Sequence, residues 1–120
     1  MTGDPVDVLI DIGVAYQNLE DHNEAIIYFD RVISISTNFS AAYSNKAISL
    51  ASLNLLDEAL NAIEEAIKLS PIEAGHWNNK SVIYLKLQKY TDALLSARRS
   101  IKLSPKLVEA YVNLGNALFF

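Results

Sequence analysis

The chain is 120 residues long, 51% hydrophobic and 20% charged, with a formal net charge of −4. Its 4 glycines and 3 prolines are too few for a many-turned β-sandwich, and its apolar content excludes a largely disordered chain. With no cysteine, disulfides, thiolate zinc sites and cysteine nucleophiles are all removed, and the acidic balance argues against general affinity for phosphate backbones.

Residues 1–5 read as a leader without a basic region followed by an apolar stretch. No run of about 18 apolar residues follows, so the expectation is a cytoplasmic protein without membrane contact. From Val6 the apolar residues keep helical spacing up to the link Glu20-Asp21, and a second such segment ends at Ser36. The next pair opens at Ser40. Tyr43, Ala47, Leu50 and Leu53 step by three or four; after the link Asn54-Leu55, Leu56, Ala59, Leu60, Ile63, Ala66 and Ile67 do the same. A third pair begins at Ala74, and a single further helix begins at Val108. Asp4-Pro5, Ser70-Pro71 and Ser104-Pro105 read as helix starts, an N-cap oxygen before a first-turn proline, with Ser70 and Glu73 as a capping box.

The pairs are copies of one another. Ala25, Ala59 and Ala93 lie 34 residues apart, as do Leu19, Leu53 and Leu87, and Ile33, Ile67 and Ile101. The units are therefore 6–39, 40–73 and 74–107, with 108–120 as the first helix of a fourth. The predicted fold is all-α, seven helices in antiparallel pairs and no strand. Gly13, Ala47, Ser81 and Gly115 form a column of small residues, each four after a large one (Leu9, Tyr43, Trp77, Tyr111). Small side chains there let the second helix of each pair approach closely.

These residues resemble the tetratricopeptide repeat family, whose 34-residue unit is a helix–turn–helix. Its pattern reads here as Leu9, Ile12-Gly13, Tyr16, Ala25 and Phe29, then Tyr43, Ala47, Leu50, Ala59, Ile63 and Pro71, then Trp77, Ser81, Tyr84, Ala93 and Pro105, and finally Tyr111, Leu114-Gly115 and Leu118. Departures are Thr37 for a proline, Lys46 and Lys80 for apolar residues, and Ala97 for an aromatic. The resemblance implies a right-handed α-solenoid whose first helices line a concave groove. It also implies a protein-binding module.

Nothing in the sequence points to catalysis. No phosphate-binding loop, GxSxG or HExxH is present, and His22 and His76 stand in different units without a carboxylate constellation. No cofactor or metal is expected. Arg98, Arg99, Lys102 and Lys106 form a basic run without interleaved aromatics, which reads as a solvated face rather than a nucleic-acid site.

The groove implied by the resemblance is lined by two columns. Asp11, Asn45, Asn79 and Asn113 form one; Val14, Ile48, Val82 and Asn116 form the other, with Asn78 and Lys86 beside them. Carboxamides offer both donors and acceptors, so such a row suits a peptide backbone, with the apolar column taking alternate side chains. Family members that grip a chaperone's C-terminal carboxylate use lysines, an arginine and asparagines where this chain has Ile10, Val14, Asn45, Gly75 and Asn79; only Asn45 fits and no cation is available, so that partner is disfavoured. The expected partner is an extended or helical segment of another protein. The alternative is a structural, self-assembling or targeting piece of a larger protein or enzyme of this family. Self-association is expected through Leu114, Leu118, Phe119 and Phe120 of the last helix, which lack a second helix to cover them. Charge sets a head-to-tail orientation: residues 1–40 carry seven acids against Arg31 and residues 80–106 carry seven bases against Asp92.

Overall fold

Each expected apolar segment forms a helix. The computed structural model describes residues 5–118, residues 108 and 109 by their backbone alone, and no strand occurs among them. The helices are α1 (Pro5–Asn18), α2 (His22–Ile35), α3 (Ser40–Ser52), α4 (Leu56–Leu69), α5 (Ala74–Lys86), α6 (Tyr90–Leu103) and α7 (Val108–Leu118). Every helix packs on the next, and the first helices of successive units also touch: α1 on α3, α3 on α5, α5 on α7. The second helices α2, α4 and α6 do not touch one another. The stack is therefore tighter along its first-helix side, which makes that side concave. Its extents are 44 × 27 × 22 Å.

The Ser-Pro pairs end helices instead of starting them. The Ser70 N–H donates to the Ala66 carbonyl (2.9 Å) and the Ser104 N–H to that of Ser100 (2.9 Å), closing α4 and α6. A following proline disfavours the α conformation in the residue before it, so Pro71 and Pro105 act as stop signals, and α5 and α7 begin three residues later. Glu73 is the N-cap of α5 and makes no side-chain cap bond, so the expected capping box does not form. Pro5 does open α1, while Asp4 lies outside the described residues.

Packing within the units follows a size rule. Gly13 and Phe29 in unit one, Ala47 and Ile63 in unit two, and Ser81 and Ala97 in unit three stand at the same two register places. Phe29, Ala47, Ile63, Ser81 and Ala97 are all fully buried. Where the second helix brings a large residue, the first brings a small one. A Cβ on Gly13 would stand 2.6 Å from Phe29 Cε1 and 2.9 Å from its Cδ1, so only glycine fits beside that ring.

Successive units are also joined by charge. Lys46 Nζ reaches Asp30 (2.7 Å) and Lys80 Nζ reaches Glu64 (2.8 Å), the same two places one unit apart. Lys80 also sits over the rings of Trp77 and Tyr84, at 5.2 and 5.7 Å. The two lysines that depart from the family pattern are thus not simply solvated. They tie each unit to the one before.

Candidate functional site

The asparagine column is bonded unevenly. Asn79 Nδ2 donates to Ser44 Oγ (2.8 Å) and Asn113 Nδ2 to Asn78 Oδ1 (2.7 Å), each reaching the residue 35 places earlier. The corresponding place for Asn45 is Ile10, whose side chain has no acceptor. The Asn45 carboxamide therefore makes no such bond and stays half-buried at the groove surface, while its backbone carbonyl accepts from Gln17 Nε2 (2.8 Å). Gln17 also donates to Ser49 Oγ (2.9 Å), which His22 Nδ1 meets from the other side (3.0 Å). His22 and Gln17 thus bind unit one to unit two. Neither stood out as a site residue in the sequence.

Two cavities divide the predicted lining. The first, about 270 Å³, lies between α3 and α5 and holds Asn45 and Asn79 with Ser40, Ser44, Glu73 and His76 on its wall. His76 is buried, with Nε2 against Ser40 Oγ (3.0 Å); burial holds its pKa below the ordinary histidine value, against the opposing pull of Glu73. The second, about 350 Å³, holds Lys86 and Asn116 with Leu85, Gln88 and Tyr90. Val14, Ile48, Asn78 and Val82 are half-buried along the same first-helix layer, Asp11 is exposed, and Asn113 is buried with its amide committed to Asn78. Ser40, Glu73 and His76 were missed because no motif marks them: they line the cavity only through the packing of α3 against α5. Glu73, the N-cap of α5, and His76 in its first turn both line this cavity. No group of three or more histidine, cysteine or acidic residues suited to a metal occurs among the described residues. None of the described helices is long and apolar enough to cross a membrane.

Family models described as tetratricopeptide repeat match residues 44–108 and residues 6–39. The chain belongs to the tetratricopeptide repeat family. No curated protein matches it. Among solved structures it is similar to the first tetratricopeptide domain of Spaghetti (RPAP3) bound to the HSP90 peptide SRMEEVD, with a TM-score of 0.87 at 20% identity over 94% of this chain and 90% of that one. The tetratricopeptide domain of Aspergillus fumigatus Sgt2 gives 0.90 at 18% identity, over 96% and 78%. That of Arabidopsis OM64 gives 0.88 at 18% identity, over 94% and 93%. At these identities the likeness carries the all-α repeat fold.

Proposed function

We propose that this tetratricopeptide chain is a non-enzymatic interaction module that holds an extended segment of a partner protein along the α3–α5 face. The observation that carries this reading is Asn45. It is the asparagine of its column whose carboxamide no neighbouring unit takes up, and Ile48 and Val82 are half-buried on the same two helices. A carboxamide paired with a peptide backbone and an apolar strip under alternate side chains would hold a segment largely regardless of its sequence. The Spaghetti domain binds a peptide rich in acids, SRMEEVD. Here the α3–α5 cavity has no lysine or arginine on its wall, and Glu73 is its one formal charge, so an acidic chain end is a poor partner.

The test is a nonapeptide selected from a random library on the folded chain. Asn45→Ala with Ile48→Ala should weaken its binding about tenfold, while the melting temperature moves little. Unchanged affinity would overturn the groove assignment.

A second reading is favoured by α7. Tyr111, Val112 and Leu118 are 47%, 57% and 52% exposed, on a helix that no described second helix covers. Leu114 is half-buried, and Phe119 and Phe120 lie outside the described residues. With the acidic first unit and the basic third, this face fits a head-to-tail contact with a second copy. Sedimentation velocity over a hundredfold concentration range should show association that Leu118→Ser reduces; a monomer throughout would remove this reading.

A further inference from the structure

The convex side of the stack holds a cavity that the groove does not use. Because α2 and α4 do not touch, α3 floors a trough between them. In it lies a cavity of about 430 Å³, walled by Tyr43 and Leu50 of α3 and by Glu58, Asn61 and Glu65 of α4. Lys46 also borders it and is held by Asp30 of α2 at 2.7 Å, which places the cavity on the α2 side of unit two.

The neighbouring units show what belongs on such a surface. The place of Glu65 is Arg31 in unit one and Arg99 in unit three. Arg31 lies over the Tyr28 ring at 4.9 Å, and Arg99 lies over Trp77 at 5.8 Å. Trp77 stands at the place of Tyr43. Unit two therefore keeps the aromatic floor of unit three and lacks the guanidinium that stacks on it there; unit one stacks its arginine on Tyr28, at the place of Ala62, and has Leu9 at the place of Tyr43. Unit two also has Ala62 where unit one has the bulky Tyr28, which widens the opening.

The charge is reversed as well. Glu58 and Glu65 enter no ion pair among the described residues, and with Asp30 they outweigh the already paired Lys46. Glu58 and Glu65 are seven residues apart, two turns along one helix face, so both carboxylates flank the same opening. A planar cation fits each part of this surface. Its face stacks on Tyr43, its N–H fork meets a carboxylate, and its methylene stem lies against Leu50. A carboxylate or a neutral amide satisfies neither the ring nor the acids.

We infer that this cavity, walled by α3 and α4, is a second docking site, taking an arginine side chain of a partner protein in the place that Arg99 fills over Trp77 in unit three. The site is separate from the α3–α5 groove and does not depend on it.

The experiment is an NMR titration of the uniformly labelled chain with N-acetyl-arginine methylamide, with N-acetyl-glutamine methylamide as the neutral control. Saturable amide shifts confined to α3 and α4, absent with the glutamine compound, are expected. Glu65→Gln should weaken the fitted affinity about fivefold. Glu65→Arg, which installs the residue of the other two units, should abolish the shifts and leave the melting temperature equal or raised. Shifts that spread over the molecule, appear equally with the glutamine compound, or survive Glu65→Arg overturn the site. So does a Glu65→Arg protein that melts lower, because the trough would then not accept a guanidinium.

Discussion

The same column of small residues has two different meanings at the two ends of the molecule. At Gly13 a second helix presses Phe29 so close that a single added carbon would stand 2.6 Å from the ring. At Gly115, in the same register place of the fourth unit, nothing lies within 4 Å of where a Cβ would be. Glycine in mid-helix is costly in itself, by about 0.5–1 kcal/mol relative to alanine. In unit one that cost is offset by the burial of a whole phenylalanine. In α7 nothing in the described structure offsets it. A repeat pattern therefore fixes which places touch, and only the presence of the partner helix makes a given residue necessary.

The comparison can be broken most severely at Phe29. Phe29→Ala should cost about 3–5 kcal/mol, the usual range for a large core truncation, because the close approach to Gly13 leaves little to fill the space. Gly13→Ala should cost about 1–3 kcal/mol by overpacking. Combining Gly13→Ala with Phe29→Ile imports the Ala47–Ile63 pair of unit two and should recover most of the loss of the glycine variant. Chemical denaturation of the two single variants and the combination measures this. A combination no better than Gly13→Ala alone would mean that unit one's backbone, rather than the size match, sets the distance.

The sign should reverse at the other end. Gly115→Ala meets open space and gains helix propensity, so it should stabilise α7 by up to about 1 kcal/mol. Hydrogen exchange of the α7 amides reads this locally, where a global melt would dilute it. Slower exchange in α7 alone is the expected result. Faster exchange would show that something outside residues 5–118 approaches this glycine.

The fold was legible because its signal is redundant. Three alanines in phase at 25, 59 and 93, all fully buried, leave one register for the helix pairs. Helix starts were less legible because Ser-Pro is ambiguous. A serine before a proline suits an N-cap and equally suits a helix end, and the choice at Ser70 rests on its N–H reaching Ala66. The site was legible by column but not by state. The asparagines at 45, 79 and 113 look alike in sequence, yet Asn79 and Asn113 are bonded across units and Asn45 is not. That difference depends on an isoleucine at position 10, a residue whose relevance appears only once the neighbouring helices are placed. The trough of unit two was hidden for the same reason. Glu65 reads as a solvated surface acid until Arg31 and Arg99 are seen stacked at its register place.

The smallest effect sharpens the comparison at the links, where the units look most alike. Glu20, Asn54 and Gln88 have φ of 62°, 63° and 59°, the left-handed region, at the same place in each unit. The reason is one hydrogen-bond arrangement repeated. Asp21, Leu55 and Lys89 each donate back to Tyr16, Leu50 and Tyr84 at 2.9 Å, while the left-handed residues donate to Gln17, Ala51 and Leu85. These bonds satisfy the last carbonyls of α1, α3 and α5, and they require one residue of positive φ. Glycine adopts that conformation without strain, asparagine tolerates it, and a glutamine or glutamate carries a steric cost. Gln88→Gly should therefore stabilise the chain by about 0.5–1 kcal/mol, Glu20→Gly by a similar amount, and Asn54→Gly by close to zero. Denaturant midpoints of the three variants should fall in that order. If Asn54→Gly instead matched the other two, backbone strain would be equal in all three links and side-chain tolerance would not distinguish them. If Gln88→Gly were destabilising, the Gln88 side chain on the wall of the α5–α7 cavity would contribute contacts that outweigh its strain.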